Sequence, residues 1–298
     1  MSEFKIERAG PEAARLGESP LWSVAEQALY YVDIPGRLVL RLASDGSLRQ
    51  WAMASEPGCI ALAEGGGLQV ARRDGLWHLD TDCGELARIA PPPFDPAKQR
   101  FNDGKPDAAG RFWIGTIDDA RAPEATLYRW AAGGFTAMAG GIANSNGLAW
   151  SPDQRTMYWA DTKGHQIYAF DFEPASGSIT NRRLFASFPQ RVAGQPLEEY
   201  GGRPDGAAVD AEGCLWVAMH EGGRLVRLSP AGELVQEVLL PVRCATMPTF
   251  GGADLRTLYV TTARDGRPAD ELAREPWAGC VLRFQVNVAG LPPNLARA

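Results

Sequence analysis

Four stretches of the chain place an oxygen-bearing side chain at a recurring position: Glu18 in LGESPLW, Asn102 in RFNDGKPD, Asn146 in NSNGLAWS and Asp205 in RPDGAAVD. Each stands 10 or 11 residues ahead of a short apolar and aromatic run, beginning at Leu29, Phe112, Met157 and Leu215 respectively. Taken singly, NG and DG pairs are commonly turn residues. Here they lead straight into apolar residues (GLAW, GAAV), as a strand does. Glu18 and Asp205 with the amide oxygen of Asn146 make an all-oxygen donor set, which suits one hard or borderline divalent ion completed by water. Calcium, magnesium, manganese, zinc and iron all stay open. Carboxylates buried face to face are costly unless a cation or proton offsets them, and this is the physical reason to expect the metal. A histidine-based zinc site is disfavoured, because His78, His165 and His220 fall at different repeat positions. They read as packed or surface side chains, with His220 the best placed. No GxSxG is present to support a nucleophilic serine. The glycine-rich AEGGGLQ and AGGFTAMAGG lack a following Lys-Ser/Thr and a helix, so they read as turns rather than phosphate loops.

The elements that must position these residues recur. Strand-like runs begin at Leu29, Leu68, Phe112, Met157, Leu215 and Leu258, at a mean interval of about 46 residues. A second run follows each of them (LVLRL, GLWHLD, LYRW, IYAF, LVRL, VLRF), with turn clusters such as SDGS, SPDQ and SPAG between. Six units of this period, without a long segment of helical periodicity, predict an all-β, six-bladed β-propeller with a central metal-binding channel. A pair of β-sandwiches is the rival, but sandwiches do not require a fixed period. No linker or low-complexity tract interrupts the chain, so residues 1–298 read as a single domain. The innermost strands of a propeller surround its channel and run parallel to its axis, so residues at equal phase sit at similar height. The four polar side chains should then converge at one mouth, with Cys59–Ile60 and Met247–Pro248 as an apolar wall. The longest interval, before Leu215, carries its surplus in RVAGQPLEEYGG (191–202), a candidate lid beside Asp205. Segments 119–125 and 189–204 read as loops, and APPPFDP (90–96) as a stiff surface connection.

Composition excludes other classes. The 30 basic and 36 acidic residues leave a formal net charge of -6, with 45% hydrophobic residues, which argues against disorder and against a nucleic-acid partner. No apolar stretch approaches the roughly 20 residues that cross a bilayer, and the start MSEFKIERAG is charged where a signal peptide is apolar, so no membrane partner is expected. Five cysteines, an odd number without a CxxC, suit buried thiols in the cytoplasm.

LGESPLW (16–22), RFNDGKPDAAGRFWIGT (100–116), NSNGLAWSPD (144–153), RPDGAAVDAEGCLWVA (203–218) and ARDG (263–266) together resemble the gluconolactonase, regucalcin and luciferin-regenerating-enzyme family over almost the whole chain. The resemblance implies a six-bladed propeller with one divalent metal in its channel, and hydrolysis of sugar lactones. By position, Glu18, Asn146 and Asp205 match the family's metal ligands. Arg100 and Asn102 match its substrate-contacting Arg and Asn. Some members also carry a substrate-contacting carboxylate where this chain has Ala120, which leaves Asp118 or Asp119 as its replacement and Asp118 as the candidate substrate contact.

The expected function is metal-dependent hydrolysis of sugar-acid lactones, with Asp205 as ligand and general base. The partner is then a small sugar lactone, of the pentono- or hexono- series. A calcium-binding regulatory propeller is the alternative from another class, and hydrolysis of a non-sugar lactone or phosphotriester is a third reading.

Overall fold

The computed structural model describes residues 4–297. These fold into six antiparallel sheets of four strands each. The innermost strands are Gly17–Ser23, Pro57–Leu62, Gln99–Pro106, Ser145–Trp150, Arg203–Val209 and Ala245–Gly251, and each leads outward through the next three strands of its blade. The repeated apolar runs of the sequence are the second strands. Ala28–Asp33 and Thr257–Thr262 are buried along their whole length, which explains why they read as continuous apolar runs instead of alternating ones.

Five blades are built from consecutive strands. The sixth takes its outer strand, Glu7–Ala13, from the other end of the chain, paired antiparallel with Cys280–Gln285. That pairing closes the ring. Large aromatics fill the space between blades: Trp113 meets Trp150 and Phe172 edge-on, with ring centroids 6.2 and 5.8 Å apart.

Every innermost strand breaks register with its neighbour at the same height. The shifts fall between Glu18 and Leu21, Pro57 and Cys59, Phe101 and Gly104, Asn146 and Ala149, Pro204 and Ala207, and Ala245 and Met247. An irregularity of this kind re-aims a side chain out of the pleat. Glycine permits the close packing around it. Gly147 adopts φ 61°, and a Cβ there would stand 2.9 Å from the carbonyl oxygen of Asp205. A Cβ on Gly58 would run into the backbone of Phe101 on the next blade. Because backbone cannot move aside as a flexible side chain does, Gly58→Ala is expected to cost about 1–3 kcal/mol, read as a lower denaturant midpoint.

Two short helical elements depart from the all-strand expectation, a turn at Leu197–Glu199 and the helix Ala269–Arg274. Six residues are too few to show a periodicity in sequence. Among the described residues no helix is long and apolar enough to cross a membrane.

Candidate functional site

The strand irregularities put the four phase-matched residues at one end of the channel, all nearly inaccessible: Glu18, Asn102, Asn146 and Asp205 are 9%, 8%, 2% and 6% exposed. Asn102 joins two blades, with its Nδ2 donating to the Ser145 carbonyl at 3.0 Å and to Asn146 Oδ1 at 2.9 Å. Asn146 Nδ2 donates to Thr162 Oγ1 at 2.7 Å, which orients the amide, and Asn146 also hydrogen-bonds Asp205. Glu18 and Asp205 lie in each other's field. Burial first, then the charges of Asp205 and Asp103, hold the Glu18 carboxyl well above the usual range. Burial likewise pushes Asp205 up to about 8, against the opposing pull of Arg203.

Arg100 lies at the lip. Its Nη1 donates to the Phe101 carbonyl at 2.9 Å and to Asn102 Oδ1 at 2.7 Å. Burial and the neighbouring guanidinium groups of Arg121 and Arg73 lower it to about 10, so it stays charged at neutral pH. Asp118 Oδ1 accepts the amides of Ala120 at 2.9 Å and Ala122 at 3.3 Å, holding the turn after the Phe112–Asp118 strand. Asp119 faces away to Arg73, at 3.0 Å. Between neighbouring innermost strands Cys59 packs against Gly104 and Met247 against Gly206.

Asp103 and Arg203 at this end were not singled out in the sequence, and His220 was noted only as the best placed of the three histidines. Asp103, on the floor, is raised by burial; its Oδ2 accepts the Leu148 amide at 3.1 Å and its Oδ1 has no partner. His220 Nδ1 lies 3.6 Å from Asp205 Oδ2 without a hydrogen bond, and burial followed by Arg203 lowers that imidazole to about 4, so it is neutral. Arg203 pairs with Glu221 at 3.0 Å. A signal for it existed: RPDG repeats the offset of RFND, with an arginine two residues before the oxygen-bearing side chain.

The segment 191–202 is tied down at its far end. Tyr200 is buried and its hydroxyl meets His165 Nε2 at 2.6 Å. Arg243 Nη1 holds the Leu197 carbonyl at 2.8 Å, and Arg224 Nε holds that of Gly201 at 2.9 Å. The connection ends earlier than 204, because the innermost strand already begins at Arg203.

Among the described residues no three His, Cys, Asp or Glu side chains are grouped to hold a metal ion. A cation here would therefore need the Asn146 amide oxygen beside the two carboxylates. The donor set fits a hard cation: two buried carboxylates repel each other, and an oriented amide adjoins one of them.

Residues 16–264 match the family model described as the SMP-30/Gluconolactonase/LRE-like region. A Pseudomonas putida protein named 6-deoxy-6-sulfogluconolactonase is 44% identical over 279 residues, 92% of each chain. Regucalcin of Gallus gallus is 36% identical over 304 residues, 98% of each chain. Among solved structures, a calcium-binding protein, regucalcin, from Agrobacterium tumefaciens superimposes with a TM-score of 0.92 at 26% identity, covering 99% of this chain and 98% of that one. A channel-mouth site on a six-bladed propeller, matched at this length by family and relatives alike, assigns the chain to the SMP-30/gluconolactonase/LRE-like family.

Proposed function

We propose that this chain is a single-domain, cytoplasmic enzyme that hydrolyses sugar-acid lactones at the channel mouth, with Glu18, Asn146 and Asp205 holding one divalent cation. The observation that carries the reading is the burial of Glu18 and Asp205 together at one end of the channel, where burial first and then the charge of Asp205 make ionisation of Glu18 costly. When bound, the cation would supply Lewis acidity toward the lactone carbonyl, a contribution of several kcal/mol to catalysis. The printed names of the relatives support the substrate class and make calcium the first ion to test, with magnesium, manganese, zinc and iron after it. Five unpaired cysteines suit the reducing compartment.

Asp205 then takes a proton from the attacking water as the new C–O bond forms, and returns it to the ring oxygen as the old C–O bond breaks. General-base help of this kind contributes ~10²–10⁴-fold. Arg100, a charged fork, and Asn102, both donor and acceptor, orient the hydroxyl-rich ring. Asp118 enters as a substrate contact through the oxygen that does not hold the Ala120 and Ala122 amides.

Acid release from gluconolactone, pentonolactones and a 6-sulfo derivative, measured with each ion, tests the reading; no turnover on any of them with any ion overturns it. The alternative, a calcium-binding regulatory propeller, draws on the relatives named regucalcin and predicts cation binding without acid release.

Cation binding has its own readout. In the cation-free protein the folded state keeps a proton on Asp205 up to about pH 8, while the unfolded carboxyl releases it near 3.8. Folding therefore takes up a proton across that window, and stability falls as pH rises through it. A cation that replaces the proton should raise the melting temperature more at about pH 8 than at about pH 5. Equal shifts at both values would contradict the site.

A further inference from the structure

The channel holds a second space beyond the residues of its mouth. A cavity of about 280 Å³ lies further along the innermost strands, and each of the six contributes to its wall: Leu21, Ile60, Lys105, Ala149, Val209 and Thr249. Leu21, Lys105 and Ala149 stand three residues past Glu18, Asn102 and Asn146, roughly 10 Å of extended strand, so the cavity occupies the opposite end of the channel.

The C-terminal segment lies across this end. On one side the Ala211 amide donates to the Ala289 carbonyl at 2.9 Å and Gly290 donates to that of Leu255 at 2.8 Å. On the other, Ala296 donates to the Leu62 carbonyl at 2.7 Å and Glu64 donates to that of Ala296 at 2.9 Å. Between these anchors Leu291, Pro292 and Pro293 border the cavity. The two prolines have a fixed φ and no N–H to satisfy, which suits a short strap outside any ladder. Glycine is needed where the strap enters, since a Cβ on residue 290 would run into the Phe250 ring. Pro152 and Pro292 are exposed, so the cavity reaches solvent beside the strap.

One charge serves this space. Among the described residues that line it, Lys105 alone is ionisable. Its Nζ crosses the channel to donate to the Ala207 carbonyl at 2.8 Å, on an innermost strand two blades away, and that arm separates the mouth from the cavity. The ammonium has three N–H groups for this one hydrogen bond, and among the described residues no carboxylate lies within ion-pair distance of it. Burial lowers its pKa, opposed by the charge of Asp103. Two further donors are idle: Trp22 and Trp150 line the cavity, are 3% and 4% exposed, and keep indole N–H groups without an acceptor. The indoles of Trp113 and Trp216, by contrast, end on buried aspartates.

We propose that this cavity is a second binding site, for a small monocarboxylate with an apolar body, its carboxylate on Lys105 Nζ and its chain against Leu21, Ile60 and the strap. Charge complementarity decides the choice. An apolar-walled space with one cation short of a carboxylate accepts an anion whose remainder is apolar, and the new pair offsets the cost of keeping that cation out of water. Sugar acids do not suit it, because their hydroxyls would give up water against a wall with few polar groups. Mouth and cavity therefore take different ligands.

Calorimetry on the whole protein, in buffer containing calcium, tests the site with sodium octanoate against octan-1-ol and gluconate. Octanoate should bind at one equivalent, about tenfold or more tighter than octan-1-ol, and excess gluconate should not displace it. Lys105→Met keeps the stem and removes the charge. It should bring octanoate down to the level of octan-1-ol while moving octan-1-ol itself no more than about twofold. Thr249 is half-buried although it lies within an innermost strand, so its free face meets the cavity. Thr249→Phe fills the space from another blade and should weaken both ligands by about tenfold or more, with the melting curve showing that the variant is folded. Equal affinity of the wild type for octanoate and octan-1-ol overturns the proposal, as does displacement by gluconate. Undiminished octanoate binding in folded Lys105→Met or Thr249→Phe overturns it too. Should Lys105→Met fail to fold, the wild-type comparison and Thr249→Phe decide the matter between them.

Discussion

Asp205→Asn is expected to abolish lactone hydrolysis, lowering kcat by at least ~10²–10⁴-fold, because the change removes a general base and a charged ligand together. Shape is nearly conserved, so the protein should fold. Indeed the cation-free variant should be no less stable than the parent, since below about pH 8 Asn replaces a carboxyl that is already buried and protonated. The variant should also lose the cation-induced rise in melting temperature. Retention of more than about a tenth of the activity, with the thermal shift intact, would remove Asp205 from both roles. A variant that merely misfolded would lose stability along with activity, which the melting curve separates.

The second large effect concerns the scaffold. Asp210 is fully buried and accepts four hydrogen bonds: Oδ1 from the amides of Glu212 and Cys214, both at 3.0 Å, and Oδ2 from Trp216 Nε1 at 2.9 Å and Arg227 Nε at 2.8 Å. Asp210→Ala leaves an indole N–H, a guanidinium and two amides without their acceptor. The expected loss is about 3–5 kcal/mol, measured by denaturant unfolding, as for a buried ion pair stripped of one partner. A loss under about 1 kcal/mol would mean that water satisfies these groups. Asp107 repeats the arrangement in another blade, accepting from Ala109, Arg111 and Trp113 Nε1. The pattern was visible as DAAGRFW and DAEGCLW, but the acid in each reads as an ordinary turn residue until the indole is seen to bend back onto it.

The comparison of these two aspartates with Asp205 shows what kind of information the chain carries. All three precede glycine within a few residues, and composition does not separate them. Phase does. Asp107 and Asp210 close the turn into the second strand, whereas Asp205 lies within an innermost strand.

By itself, the sequence determined the blade number, because a repeat of about 46 residues with fixed offsets admits one circular arrangement. It also carried Glu18, Asn102, Asn146 and Asp205 as a group, since equal phase becomes equal height in a ring. Only the tertiary structure decided that the N-terminal strand completes the last blade, because an edge strand pairs with whichever edge the closing ring brings to it. The same holds for the lip, where Arg203, Glu221, Arg267 and Glu271 come from three separate segments and meet only when the blades pack. Ion pairing of that kind depends on distances through space, which no spacing along the chain encodes.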